Sequence, residues 1–189
     1  MQINDGTGRG YVAKVTQDNR LAIEALEPSS QASRNGKAYT VAGIPAAGVT
    51  STGGVMLLLI NDSQTDSILI DQVTVSGDST KLVFRERSGY TVGTISDAEV
   101  LNSNALNTTY PDNNSVSAYL WDGTNHGIGG LSGTTDQLGA YTLSTTPLNV
   151  NHGGNLIIGP GKNYAVYLDN NSGGAQNAAI TVKYFMAAV

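Results

Sequence analysis

The chain has 189 residues, enough for one domain with a sizeable core. It carries a net charge of −5, only 13% charged residues and no cysteine, which excludes disulfides, thiolate metal sites and cysteine nucleophiles. The nearest approach to a basic cluster is Lys81, Arg85 and Arg87, too thin for a surface that tracks phosphates, so direct nucleic-acid binding is not expected. Polarity comes from Ser, Thr, Asn, Gln and Gly instead. Such uncharged groups suit a surface that lies against other proteins, because desolvating them costs less than desolvating charges. They equally suit a chain with many turns.

Met1–Gly6 has neither a basic n-region nor an apolar h-region, so no signal peptide is expected and the chain is read as made in a cytoplasm. The longest strongly apolar run, Val55–Ile60, is too short to cross a bilayer as a helix, and no membrane partner is expected.

In chain order, Tyr11–Val15 and Arg20–Leu26 read as two strands around the turn Gln17–Asn19. Glycines at 6, 8 and 10 precede this hairpin. The polar stretch Pro28–Lys37, containing Asn35-Gly36, follows it and reads as a linker. Residues 1–37 are therefore an N-terminal arm that needs a neighbour to dock on, because a lone hairpin buries little. Residues 38–189 form the main domain. Val55–Ile60 reads as a strand buried on both faces. Ser67–Ser76 is a β-branched strand whose alternation slips near Asp71-Gln72, the mark of a bulge. Lys81–Arg87 reads as a half-buried strand. Ser96-Asp97-Ala98-Glu99 matches a capping box and predicts a short helical turn toward Leu106. Ser115–Trp121 returns to strand, and the glycine-rich Gly127–Gly139 reads as loop. Leu156–Ile158, Asn163–Leu168 and Ala179–Met186 are the closing strands. Short strands between turn signals, with almost no helical period, predict an all-β sandwich, jelly roll or barrel.

Catalytic chemistry is hard to find. His126 and His152 both lie in glycine-rich stretches without the spacing of a metal pair, and both read as exposed loop residues. The fifteen carboxylates form no close pair on one strand face. Asp169, Asn170 and Asn171 could offer oxygens to calcium but lack the alternating ligand spacing, and turn formation explains them. Gly6-Thr7-Gly8-Arg9-Gly10 lacks the Gly-Lys-Ser/Thr ending of a phosphate loop. No catalytic residue, metal ligand or cofactor is expected, and the protein is read as not an enzyme. Nine Tyr and one Trp against two Phe favour amphipathic rings, which serve protein interfaces and sugar-binding surfaces.

Two stretches carry a resemblance. Asp5-Gly6-Thr7-Gly8-Arg9-Gly10-Tyr11-Val12-Ala13-Lys14-Val15, followed by Asn19-Arg20-Leu21, resembles the start of a group of tailed-bacteriophage virion proteins of the head-decoration, or cement, type. Leu156-Ile157-Ile158-Gly159-Pro160-Gly161-Lys162-Asn163-Tyr164-Ala165-Val166 resembles their closing region, with Val55–Ile60 as a weaker third match. The segment from about Gly93 to Val150 matches nothing in the group. The resemblance implies a jelly-roll-like antiparallel β-sandwich on the outside of a phage head, often trimeric. It implies an N-terminal arm that reaches neighbouring subunits and no catalytic residues. On this reading the partner is the major capsid protein, and Tyr11, Val15, Arg20, Leu21 and Leu26 are the arm's contact residues. The rival reading is a tail, fibre or lectin-like module that stacks Tyr and Trp on host glycans.

Overall fold

The structure, a computed structural model, describes residues 28–46, 48–123 and 126–188. The arm residues Tyr11, Val15, Arg20, Leu21 and Leu26 lie outside the described residues.

A short helix, α1 (Pro28–Arg34), leads into the strands. The segment read as a linker thus contains a helix, which ends at Asn35 and at Gly36 with φ +67° and packs against the sheet that follows. Eight strands form the body: β1 (Ala38–Gly43), β2 (Gly54–Asn61), β3 (Ser67–Gly77), β4 (Leu82–Ser88), β10 (Asp136–Thr142), β11 (Leu148–Ile158), β12 (Asn163–Asn170) and β13 (Ala178–Ala187). Five short strands lie between β4 and β10: β5 (Thr91–Ser96), β6 (Ala98–Leu101), β7 (Asn104–Ala105), β8 (Val116–Trp121) and β9 (Gly129–Ser132).

The body strands pair in nested, antiparallel fashion: β1 with β13, β2 with β12, β3 with β11 and β4 with β10. Two further pairings, β3 with β13 and β4 with β12, roll this long ribbon into two sheets. One sheet has five strands in the order β11-β3-β13-β1-β7, the other six in the order β10-β4-β12-β2-β8-β6. Their inner faces enclose one core that includes Val41, Leu57, Leu59, Ile70, Val73, Phe84, Val166, Leu168 and Val182, all without solvent exposure. The expected all-β sandwich is the observed fold.

The expected bulge in β3 is present. Gln72 pairs with Lys183 and Ile70 with Tyr184, which leaves Asp71 without a partner. On the other side of β3, Asn151 faces Gln72 and Leu156 faces Ile70, so residues 152–155 of β11 form a four-residue bulge at the same level.

The excursion from residue 89 to 135 corrects two expectations. Ser96–Glu99 does not cap a helix. Ser96 Oγ donates to the Asp97 carboxylate (3.0 Å), Asp97 turns the chain at φ 57°, and Glu99 enters β6 opposite Leu120. Asp tolerates this left-handed backbone, so the four residues make a strand-to-strand corner with the composition of a capping box. Gly127–Gly139 is not a loop throughout, because β9 and the start of β10 lie within it. The excursion closes one side of the sandwich. Its strands β8 and β6 extend the six-stranded sheet beyond β2, and β7 extends the five-stranded sheet beyond β1. Ile95 and Leu131 of the β5–β9 ribbon, together with buried Ile128, pack against the core cluster. Val55–Leu59 is accordingly buried on both faces of its sheet, as its apolar run predicts.

Candidate interaction surface

The outer face of the five-stranded sheet is built by the strand alternation itself. Inward positions carry Val41, Val73, Val75, Ile180 and Val182, and the residues between them point out. One apolar row on the outside, Ile157-Leu69-Phe185-Ala38 in register, runs beside α1. Phe185 and Ala38 are buried there. The remaining rows lie open. Asn151, Gln72, Lys183, Thr40 and Asn104 align across all five strands, and Asn149, Thr74, Thr181 and Ala42 align across four. Ser76 and Ala179 form a third, shorter row. All these side chains are half-buried or exposed, and Lys183 is the single charge among them. Thr74 donates a 2.6 Å hydrogen bond to the Asn149 side chain, which ties neighbouring strands on this face.

The outer face of the six-stranded sheet differs. Its outward parity holds Tyr119, Leu58, Ala165 and Arg87 in one row, with Leu58 and Ala165 wholly buried. Farther along, the Arg87 guanidinium lies 4.0 Å from the Tyr167 ring centre, and Arg85 pairs with Asp169 and reaches Gln137 at 2.8 Å. Of the three basic residues noted in the sequence, Arg87 is therefore held by an aromatic ring and Arg85 by a carboxylate. Asn170, next to Asp169, donates to the carbonyls of Val49 and Gly174, both at 2.7 Å, so this turn spends its polar groups on its own structure. Among the described residues no three His, Asp or Glu converge as a metal site would require.

The histidines fare differently. His126 is exposed, as expected, with Nδ1 at 2.7 Å from Thr52 Oγ1. His152 is not an exposed loop residue. It sits in the β11 bulge with its side chain 19% exposed and Nε2 2.8 Å from Glu86 Oε1. Glu86 shares its inward parity on β4 with Leu82 and Phe84 and is fully buried. The Tyr164 hydroxyl donates to Glu86 Oε1 at 2.6 Å, and the Tyr141 hydroxyl to Oε2 at 3.2 Å. Gly139 leaves room for the cluster, since a Cβ there would stand 2.7 Å from the Tyr141 hydroxyl and 2.9 Å from Glu86 Oε2. Burial, then the Glu86 charge and hydrogen bond, hold the Tyr164 phenol well above its ordinary range and raise Tyr141 as well.

Tyr164 and Tyr167 point to opposite faces of β12, as their spacing predicts. Trp121 is completely buried, so it is not available to stack on a sugar. No protein-family model, curated protein or solved structure matches the chain.

Proposed function

We propose that the protein is a non-enzymatic structural component of a phage virion that lies with its five-stranded sheet against the outer surface of the capsid and stabilises it. The observation that carries this reading is the open outer face of that sheet, an array of Thr, Asn, Gln, Ser and Ala around a single Lys183. Desolvating hydroxyls and amides against a protein surface is far cheaper than desolvating charges, and the array offers many donors and acceptors to re-pair. Three rows on strands about 4.8 Å apart cover on the order of 300–400 Å². That is about half of what a stable interface buries per partner. One copy therefore binds weakly, and strength comes from symmetric repetition, which suits a trimer on a lattice of major capsid protein. A ligand that binds only the assembled shell stabilises it by mass action.

The nested pairing of β1–β4 with β10–β13 supports the jelly-roll reading of the sandwich. The resemblance of residues 5–21 to head-decoration proteins supports the phage setting, with Tyr11, Val15, Arg20, Leu21 and Leu26 as contacts to neighbouring subunits.

The test is co-sedimentation of the purified protein with undecorated capsids, followed by cryo-electron microscopy of the particles. The expected result is stoichiometric density on the head with the five-stranded sheet facing the shell. Absence of binding, together with a positive glycan array, would replace this reading by a glycan-binding tail or fibre module.

A further inference from the structure

Glu86 is a carboxylate with a 1% exposed side chain that accepts hydrogen bonds from three other strands. Tyr141 and Tyr164 donate to it but bring no compensating charge, and burial keeps both protonated. Arg85 and Arg87, its neighbours in sequence, project from the opposite face of β4 toward Asp169 and the Tyr167 ring. On β3, the half-buried Asp71 is skipped in the ladder at the level of the β11 bulge. His152 is thus the one side chain among Glu86's described contacts that can supply a positive charge.

We propose that Glu86 and His152 share one proton that latches the β11 bulge to β4, so that this edge of the five-stranded sheet loosens when the proton is lost. With the proton, the pair is neutral overall, as imidazolium with carboxylate or as imidazole with carboxylic acid. Without it, a lone anion stays buried between the sheets, which low-dielectric surroundings strongly disfavour. The bulge is the part that yields. Among the described residues, 152–155 have no ladder partner and β11 pairs with β3 alone, and Gly153 and Gly154 stand at φ +57° and +80°. Losing the proton leaves a buried anion, so the latch is favoured at lower pH and loosens as pH rises. Asn149 and Asn151, which β11 contributes to the open face, directly precede the latch. Any effect on binding rests on the functional reading above. The latch itself does not.

The experiment is nuclear magnetic resonance on the full-length protein between about pH 5 and about pH 9, a range that spans the titration of an ordinary histidine. It follows the His152 ring and the exchange protection of amides 151–156, corrected for the intrinsic pH dependence of exchange. The ring titration and the loss of protection should share one midpoint. Protection should fall at least about tenfold, equivalent to about 1.4 kcal/mol of opening free energy. Glu86→Gln keeps an acceptor for the tyrosines but removes the charge, and its bulge protection should stay constant with pH. His126→Ala should keep the wild-type drop. Protection that stays flat while His152 titrates would overturn the proposal, as would a drop that persists in Glu86→Gln. If Glu86→Gln does not fold, the wild-type coincidence of midpoints decides alone.

Discussion

At matching positions on their outer faces, the six-stranded sheet carries Leu58 and Ala165, both without solvent exposure, while the five-stranded sheet carries Thr74 and Thr181, both partly open. The chain closes the first face itself. Its excursion between β4 and β10 returns as the β5–β9 ribbon and lays Ile95, Ile128 and Leu131 against the core. Over the second face, among the described residues, the chain lays α1, beside the row that holds Phe185 and Ala38. A sheet face covered by its own chain can be apolar. One left open must be polar enough for water yet cheap to desolvate if a partner is to cover it. On the proposed reading, the contrast separates what holds the protein together from what it offers to a partner.

The contrast breaks most sharply at Leu58. If the excursion turns the outer side of β2 into core, Leu58→Ala should cost about 2–5 kcal/mol, as truncation of a fully buried leucine does. Equilibrium unfolding in denaturant measures it. A loss below about 1 kcal/mol would mean that the ribbon lies loosely on the sheet and that the two outer faces are alike.

Periodicity made the two faces unequally legible. The closed face announced itself: Val55–Ile60 has no polar alternation, and only a strand covered on both sides reads that way. Ser67–Ser76 even showed its bulge, because the slip at Asp71-Gln72 breaks a clean period of two. What covers β2 was not visible. The strands β5 and β9 bury one side thinly, so their residues alternate between half-covered and exposed, and glycines at 127, 129, 130 and 133 give the stretch around β9 the composition of loop. Glu86 left a signal in its shared parity with Leu82 and Phe84, which places a carboxylate on the inward side. His152 left none, because a four-residue bulge removes the register that would have assigned it a face.

The inner faces, unlike the outer ones, should respond alike to alkali. Each sheet buries a tyrosine, Tyr164 in the six-stranded sheet and Tyr184 in the five-stranded one. Burial pushes Tyr184 up to about 12, against the hydrogen bond donated by Asn113 that lowers it, and Tyr164 stands well above its ordinary value. A raised folded-state value means that the unfolded chain gives up its phenolic protons first. The stability tied to these groups is therefore complete below about pH 10 and is lost as pH rises beyond it. Tyr184 alone should account for about 2–3 kcal/mol of that loss. The part of the tyrosinate absorbance that belongs to Tyr164 and Tyr184 should appear together with unfolding rather than before it. Ionisation of all nine tyrosines ahead of any loss of circular dichroism would show that neither inner face is sealed.

The smallest effect on stability should come from the open face, and there its smallness is informative. Thr74 and Thr181 are register partners on β3 and β13, each half-buried with its hydroxyl on the outer side. The double change Thr74→Ala, Thr181→Ala removes two surface hydroxyls, creates no cavity in the core and leaves the ladder hydrogen bonds in place. Its cost should stay within about 0.5 kcal/mol per site, the usual range for surface positions. The single change Thr181→Glu keeps the fold for the same reason but places a carboxylate in the middle of an array whose only charge is Lys183. Burying that carboxylate against a partner costs far more than burying a hydroxyl. Capsid co-sedimentation should therefore fall at least about tenfold, equivalent to about 1.4 kcal/mol at each occupied site, while the melting temperature stays near that of the wild type. The alanine pair should bind within a few-fold of wild type, since it removes hydrogen bonds but leaves no new charge to desolvate. Wild-type binding by Thr181→Glu would place the contact elsewhere on the molecule, and the polar array would then be a solvated sheet face and nothing more.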